Sequence, residues 1–246
     1  MLISPLVREG SEPPFYVVPS AGTTPLSLFK MARSLSCGRP VYSFAFAGMS
    51  DDEAPHGSVE EMASAYVGEI LDMQRTGPYY LGGHCFGGTV AFEMARVLEA
   101  DGHEVAVLAL LETMAPEAGE AGHGEVEVGR SATAPPEDKG RANRIIDDQL
   151  HRRLERLPPG LGERFARFYD RQVQLRARYC PPPIQTGIVL LRTSTFPETL
   201  FRRWRYLTTS GFTDRILPGD MFSILSPPHV EKLGRHLDEL LGPAGR

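Results

Sequence analysis

Residues 83–87 read Gly-His-Cys-Phe-Gly, and few short strings restrict a fold more. The form is G-x-C-x-G, a nucleophile-elbow pattern in which cysteine stands where serine is usual. An elbow is a sharp strand-to-helix turn that presents one side chain above the end of a sheet. Glycines flank it because the turn brings backbone segments too close together for side chains. The flanking sequence fits: Tyr79-Tyr80-Leu81-Gly82 reads as a short buried strand. Phe86 to Ala100 reads as a helix with Val90, Met94, Val97 and Leu98 on its apolar face. Cys85 then sits at a helix N-terminus, where the partial positive charge favours thiolate. Without those flanks the same string would mark a structural cysteine in a glycine-rich turn.

The rest of the chain continues the alternation. Phe15 to Val18 is a short apolar strand, followed by the turn Pro19 to Gly22 and a helix from about Pro25 to Leu35. Pro40 to Phe46 is a second strand, and Ala47 to Gly57 a polar loop. Ser58-Val59-Glu60-Glu61 is a capping box that opens a helix running to about Gln74. Val105 to Leu111 is a fully apolar strand. Apolar strands that alternate with amphipathic helices predict a mostly parallel sheet covered on both faces. The pattern stops at Thr113. Residues 114–140 are rich in Glu, Gly, Ala and Pro and read as a mobile loop. Residues 141–179 are helical and Arg-rich, broken by Pro158-Pro159-Gly160. The sheet pattern resumes at Gly187 to Arg192. A helix near Leu200 to Leu207, a last strand at Asp214 to Leu217 and a helix from Pro228 to Leu241 complete the reading. The domain expectation is an α/β core over 1–113 and 187–246, with a helical lid insertion over 114–186.

Bulk properties exclude several function classes. The chain has 246 residues, enough for one full core, and a net charge of −5 that gives no electrostatic case for nucleic acid. No apolar run approaches the roughly 20 residues that span a bilayer. The N-terminal residues lack a basic start followed by an apolar stretch, so no secretion signal is expected. Cys37, Cys85 and Cys180 have no metal-ligand spacing, and the scattered His residues have none either. A reducing cytoplasm and the absence of a metal or bound cofactor are the resulting expectations.

Five segments carry a family resemblance: Phe15 to Gly22, Gly77 to Gly83, Val90 to Ala95, Leu110-Leu111-Glu112-Thr113 and Gly219-Asp220-Met221-Phe222-Ser223. They resemble the thioesterase domains and discrete thioesterases of nonribosomal peptide and polyketide assembly lines, within the α/β-hydrolase fold. The resemblance implies Cys85 as nucleophile, Glu112 at the acid position and position 221 as the base. It implies an oxyanion hole made by the backbone N–H groups of Phe86 and Ala21. The partner it implies is an acyl or peptidyl carrier protein that presents the substrate on its phosphopantetheine arm. Three positions depart from the family: Cys85 for Ser, Glu112 for Asp, and Met221 for His. The first two preserve chemical type. A thioether cannot take a proton, so the third does not.

These departures alter the expected chemistry. A thiol, unlike a hydroxyl, attacks without a partner base once ionised. Exchange of an acyl group between two thiols of similar acidity is nearly balanced. Release by water loses the general-base contribution, typically about 10²–10⁴-fold. Acyl transfer from acyl-Cys85 to a thiol or an amine is therefore expected in preference to hydrolysis. Alternatives are an editing thioesterase with another base such as His84 or His229, an excised cyclising domain, and an inactive binding scaffold. The lid arginines, among them Arg164, Arg171 and Arg176, read as a solvated helix face or as a docking surface for an acidic carrier protein.

Overall fold

The structure is a computed structural model that describes residues 2–48, 54–116, 134–154 and 160–242. Seven strands form one sheet: β1 (Ile3–Val7), β2 (Phe15–Val18), β3 (Val41–Phe44), β4 (Tyr79–His84), β5 (Val105–Leu111), β6 (Ile188–Arg192) and β7 (Phe212–Ile216). Their order is β1-β3-β2-β4-β5-β6-β7. β1 is antiparallel to β3, and every other pair is parallel. Helices α2 (Val59–Met73) and α3 (Phe86–Ala100) cover one face. Helices α1 (Phe29–Ser34) and α6 (Val230–Leu241) cover the other. Between β5 and β6 the chain makes α4 (Pro136–Leu154) and α5 (Leu161–Arg178). The mostly parallel, doubly covered sheet is the one expected from the alternation, and the α/β-hydrolase arrangement is the one the resemblance implies.

Local sequence accounts for the element ends. Ser58 Oγ accepts from the Glu61 N–H at 3.0 Å. Glu61 reaches back to the Gly57 N–H at 2.6 Å, one residue before the usual box partner. The β4 strand is buried throughout because sheet neighbours and helices enclose it on every side. Helix α3 is likewise buried over Phe86 to Ala95, far beyond one stripe. Its one buried acid, Glu93, is satisfied by Arg96 at 2.6 Å and by the Tyr179 hydroxyl at 2.7 Å.

Some expectations change in detail. β1, unread in the sequence, adds an antiparallel edge strand that carries Pro5. The stretch 200–207 forms two 3-10 turns, Glu198–Leu200 and Arg202–Tyr206, in place of an α-helix. Packing decides this: Trp204 is fully buried on Phe92, and its Nε1–H donates to the Thr113 carbonyl at 2.7 Å. Helix α4 starts at Pro136, inside the stretch read as a loop, where Pro at the first turn followed by Glu137 and Asp138 suits a helix start. The rest of that loop over 117–133, and Leu157 and the Pro158-Pro159 break, lie outside the described residues. Among the described residues no helix is long and apolar enough to cross a membrane.

Tyr179 ends α5 and ties the insertion to the core through Glu93, so Tyr179→Phe leaves a buried carboxylate short of one donor. A loss of about 1.5–3 kcal/mol in unfolding free energy is expected, measured by urea denaturation.

Candidate active site

The carboxyl ends of β4, β5 and β6 lie side by side, because His84 pairs with Leu111 and Leu111 with Leu191. The residues that follow these strands therefore share one rim of the sheet. Cys85 follows β4 with φ 54 and ψ −118, a conformation that L-residues adopt rarely. Its N–H is held by the Leu111 carbonyl at 2.8 Å. A Cβ on Gly87 would stand 2.2 Å from the Val18 carbonyl oxygen, so only glycine lets α3 begin against the end of β2. That close approach brings the turn after β2 beside the sulfur.

This turn runs from Ser20 to Thr23 and is closed by the Thr23 N–H on the Ser20 carbonyl at 3.2 Å. The Gly22 N–H is taken by Gln172 of α5 at 2.9 Å. Among the described residues no protein acceptor takes the Ala21 N–H. The Phe86 N–H, at the start of α3, favours the anion of the Cys85 sulfur. Ala21 lines the cleft with Cys85, and Phe86 follows Cys85 as the first residue of α3.

Cys85 is partly exposed and opens on two lobes of one cleft. The larger, about 490 Å³, runs between α1, α5 and the Met221 loop. The smaller, about 340 Å³, runs along α4 and α5. Burial pushes the thiol above its ordinary value. Arg176 and the Phe86 N–H pull the other way without overcoming it, and Glu112 adds to the rise. The helix N-terminus alone led to the opposite expectation, a thiol tilted towards thiolate. Desolvation outweighs that partial charge because the strand, helix and insertion together exclude water.

Glu112 follows β5 with φ 48 and is fully buried. One carboxylate oxygen accepts from the Thr193 N–H, and the other is buried with no hydrogen-bond partner among the described residues. Burial is the main cause that raises its carboxyl above the usual range. Thr193 and Thr195 share a hydroxyl contact at 2.7 Å, and Thr195 Oγ1 accepts from the Met221 N–H at 3.2 Å. The acid position is therefore linked to the loop at 221, although that loop carries no imidazole. Met221 is buried and lines the larger lobe beside Cys85.

The other histidines divide. The His229 ring packs on Gly219, 2.9 Å from where a Cβ there would sit, and does not line the cleft at Cys85. His84, the last residue of β4, does line it. Of the lid arginines, Arg171 donates to the His56 carbonyl at 3.1 Å, and Arg176 lines the smaller lobe with Cys85. Residues of α5 at the site, Gln172 and Tyr169, were not singled out for it in the sequence. Their helical spacing with Arg176 was available as a signal.

Two measurements follow. Alkylation of Cys85 by iodoacetamide should rise with pH about a midpoint above that of glutathione, and disappear in Cys85→Ala. For Glu112, a raised folded value means stability is greatest while the carboxyl is protonated and falls as pH climbs through that value. Glu112→Gln should therefore unfold at a higher temperature than wild type at neutral pH. The gap should close at pH values below the ordinary carboxylate range.

Comparison with known proteins gives the family and the fold. The Thioesterase domain family model matches residues 13–241. Among curated relatives, nonribosomal peptide synthetase pngA of Aspergillus terreus is 36% identical over 107 residues, 44% of this chain and 11% of that protein. Indigoidine synthase of Dickeya dadantii is 37% identical over 111 residues, 45% of this chain and 8% of that protein. The chain thus spans only 8% to 11% of the length of these two relatives. The Vlm2 thioesterase domain, solved with a bound dodecadepsipeptide, is 26% identical, covers 98% of each chain and superposes with a TM-score of 0.72. On the strength of the match over residues 13–241, this chain belongs to the thioesterase domain family.

Proposed function

We propose that the protein is an acyltransferase on carrier-protein thioesters of nonribosomal peptide or polyketide synthesis, working through a covalent acyl-Cys85 intermediate. The observation that carries this reading is the pairing of a strained, cleft-facing Cys85 with a buried Met221 where a base is expected. The Cys85 thiolate attacks the thioester carbonyl carbon. The resulting oxyanion takes hydrogen bonds from the N–H groups of Ala21 and Phe86. Collapse of this intermediate breaks the bond to the phosphopantetheine sulfur, which leaves as a thiolate and takes a proton from water. No cofactor of the protein's own takes part. A second thiol or an amine then attacks acyl-Cys85 and releases the sulfur. Water competes poorly because Met221 accepts no proton and Glu112 has no imidazole to orient.

A hydrolytic reading is favoured by one observation, the presence of His84 in the same lobe as Cys85. The two readings separate by product. Incubation with an acyl-loaded carrier protein and an unloaded one, followed by intact-mass measurement, should show acyl label on Cys85 and then on the second carrier. Cys85→Ala should carry none. Free acid over many turnovers, lost in His84→Gln, would support hydrolysis instead. Absence of any adduct in the native protein would leave only a binding role. Met221→His returns a base to the loop linked to Glu112 through Thr193 and Thr195. It should speed release to free acid by about 10²-fold, at the low end of general-base catalysis.

A further inference from the structure

Helix α5 presents Phe165, Tyr169, Gln172 and Arg176 at i, i+4, i+7 and i+11, a spacing that lines up one helix face. That face grips the site. Phe165 and Tyr169 lie 3.6–3.7 Å from where a Cβ of Gly22 would sit. One turn on, Gln172 accepts from the Gly22 N–H at 2.9 Å and so holds the turn that carries Ala21. Another turn on, Arg176 lines the lobe that also holds Cys85 and Phe86. Among the described residues Arg176 makes no ion pair. We propose that Arg176 is the cation that stabilises the Cys85 thiolate, doing from the insertion what no imidazole does from the Met221 loop. This rests on the reading of Cys85 as the nucleophile.

The surroundings of the sulfur leave that role to Arg176. His84 of β4 and Tyr169 of α5 line the cleft with it, and Glu112, which follows β5, opposes its ionisation. Asp147 of α4 and Asp170 of α5 line the same lobe as Arg176 but are exposed, so water and salt screen them. Lys30 lines the larger lobe from the exposed side of α1. Arg176 is itself partly buried, so its field reaches the sulfur through little water. Its proton stays in place throughout; the thiol proton leaves to water. Because the cation belongs to the insertion, it acts on the sulfur only while α5 lies over it.

The test is the pH dependence of Cys85 alkylation in the full chain by iodoacetamide, an uncharged reagent, read by mass of the Cys85 peptide. Arg176→Gln should move the profile to higher pH and slow alkylation at neutral pH about threefold to tenfold. Arg176→Lys should restore most of the rate. Arg178→Gln removes the same charge from an exposed position on the same helix and should overlay wild type. Unchanged melting temperatures would show that each variant folds. An Arg176→Gln profile that overlays wild type overturns the proposal. So does an equal shift in Arg178→Gln, or a uniform slowing at every pH, which would signal altered access. If wild type forms the acyl adduct while Arg176→Gln overlays it, this inference alone falls. If wild type forms no adduct, the nucleophile reading falls whatever Arg176 does.

Discussion

The backbone conformation of Cys85 is the constraint on which the rest of the structure depends. A non-glycine residue at φ 54, ψ −118 costs on the order of 1–3 kcal/mol and persists only where its surroundings over-determine it. Here three glycines do so. A Cβ on Gly83 would meet the Gly87 carbonyl oxygen at 2.1 Å, and one on Gly87 would meet that of Val18 at 2.2 Å. A Cβ on Gly88 would strike Thr113 Oγ1 at 1.9 Å. Each absent side chain lets another part of the chain close in: backbone at Gly83 and Gly87, the Thr113 side chain at Gly88. The sum of these contacts places the turn after β2, the start of α3 and the end of β5 around one sulfur atom.

The electrostatics around that atom are a contest with a definite sign. A helix start and a guanidinium favour the anion, while burial and the Glu112 carboxylate oppose it, and burial wins. Glu112 is subject to the same desolvation and keeps one oxygen unpaired. A buried unpaired acceptor is costly, and hydrogen bonds through Thr193 and Thr195 link Glu112 to the loop that carries Met221.

The helical insertion is part of this site. Tyr179 anchors it to the buried Glu93, Phe168 packs against Phe46 at 5.9 Å, and Gln172 holds the turn that carries Ala21. An insertion tied down at its far end and in contact with the Ala21 turn at its middle couples the shape of the cleft to the backbone beside Cys85.

Much of the fold was legible in the sequence because its signals are local. The Gly-His-Cys-Phe-Gly string, the apolar strands, the Ser58 cap and the alternation of elements each arise from neighbouring residues, and the structure agrees on the parallel sheet and its covering helices. What stayed hidden depends on partners far along the chain. β1 exists through pairing with β3, and the 3-10 geometry around Trp204 through burial against Phe92 and Thr113. The left-handed backbone of Glu112 has no mark in its own neighbours. By itself the sequence determined which groups could react: a sulfur at an elbow, a carboxylate at a strand end, a thioether where a base is usual. Tertiary structure alone decided how readily they ionise and what faces them. Desolvation and the approach of Arg176 and Gln172 arise only when segments more than 80 residues apart in the chain are packed together.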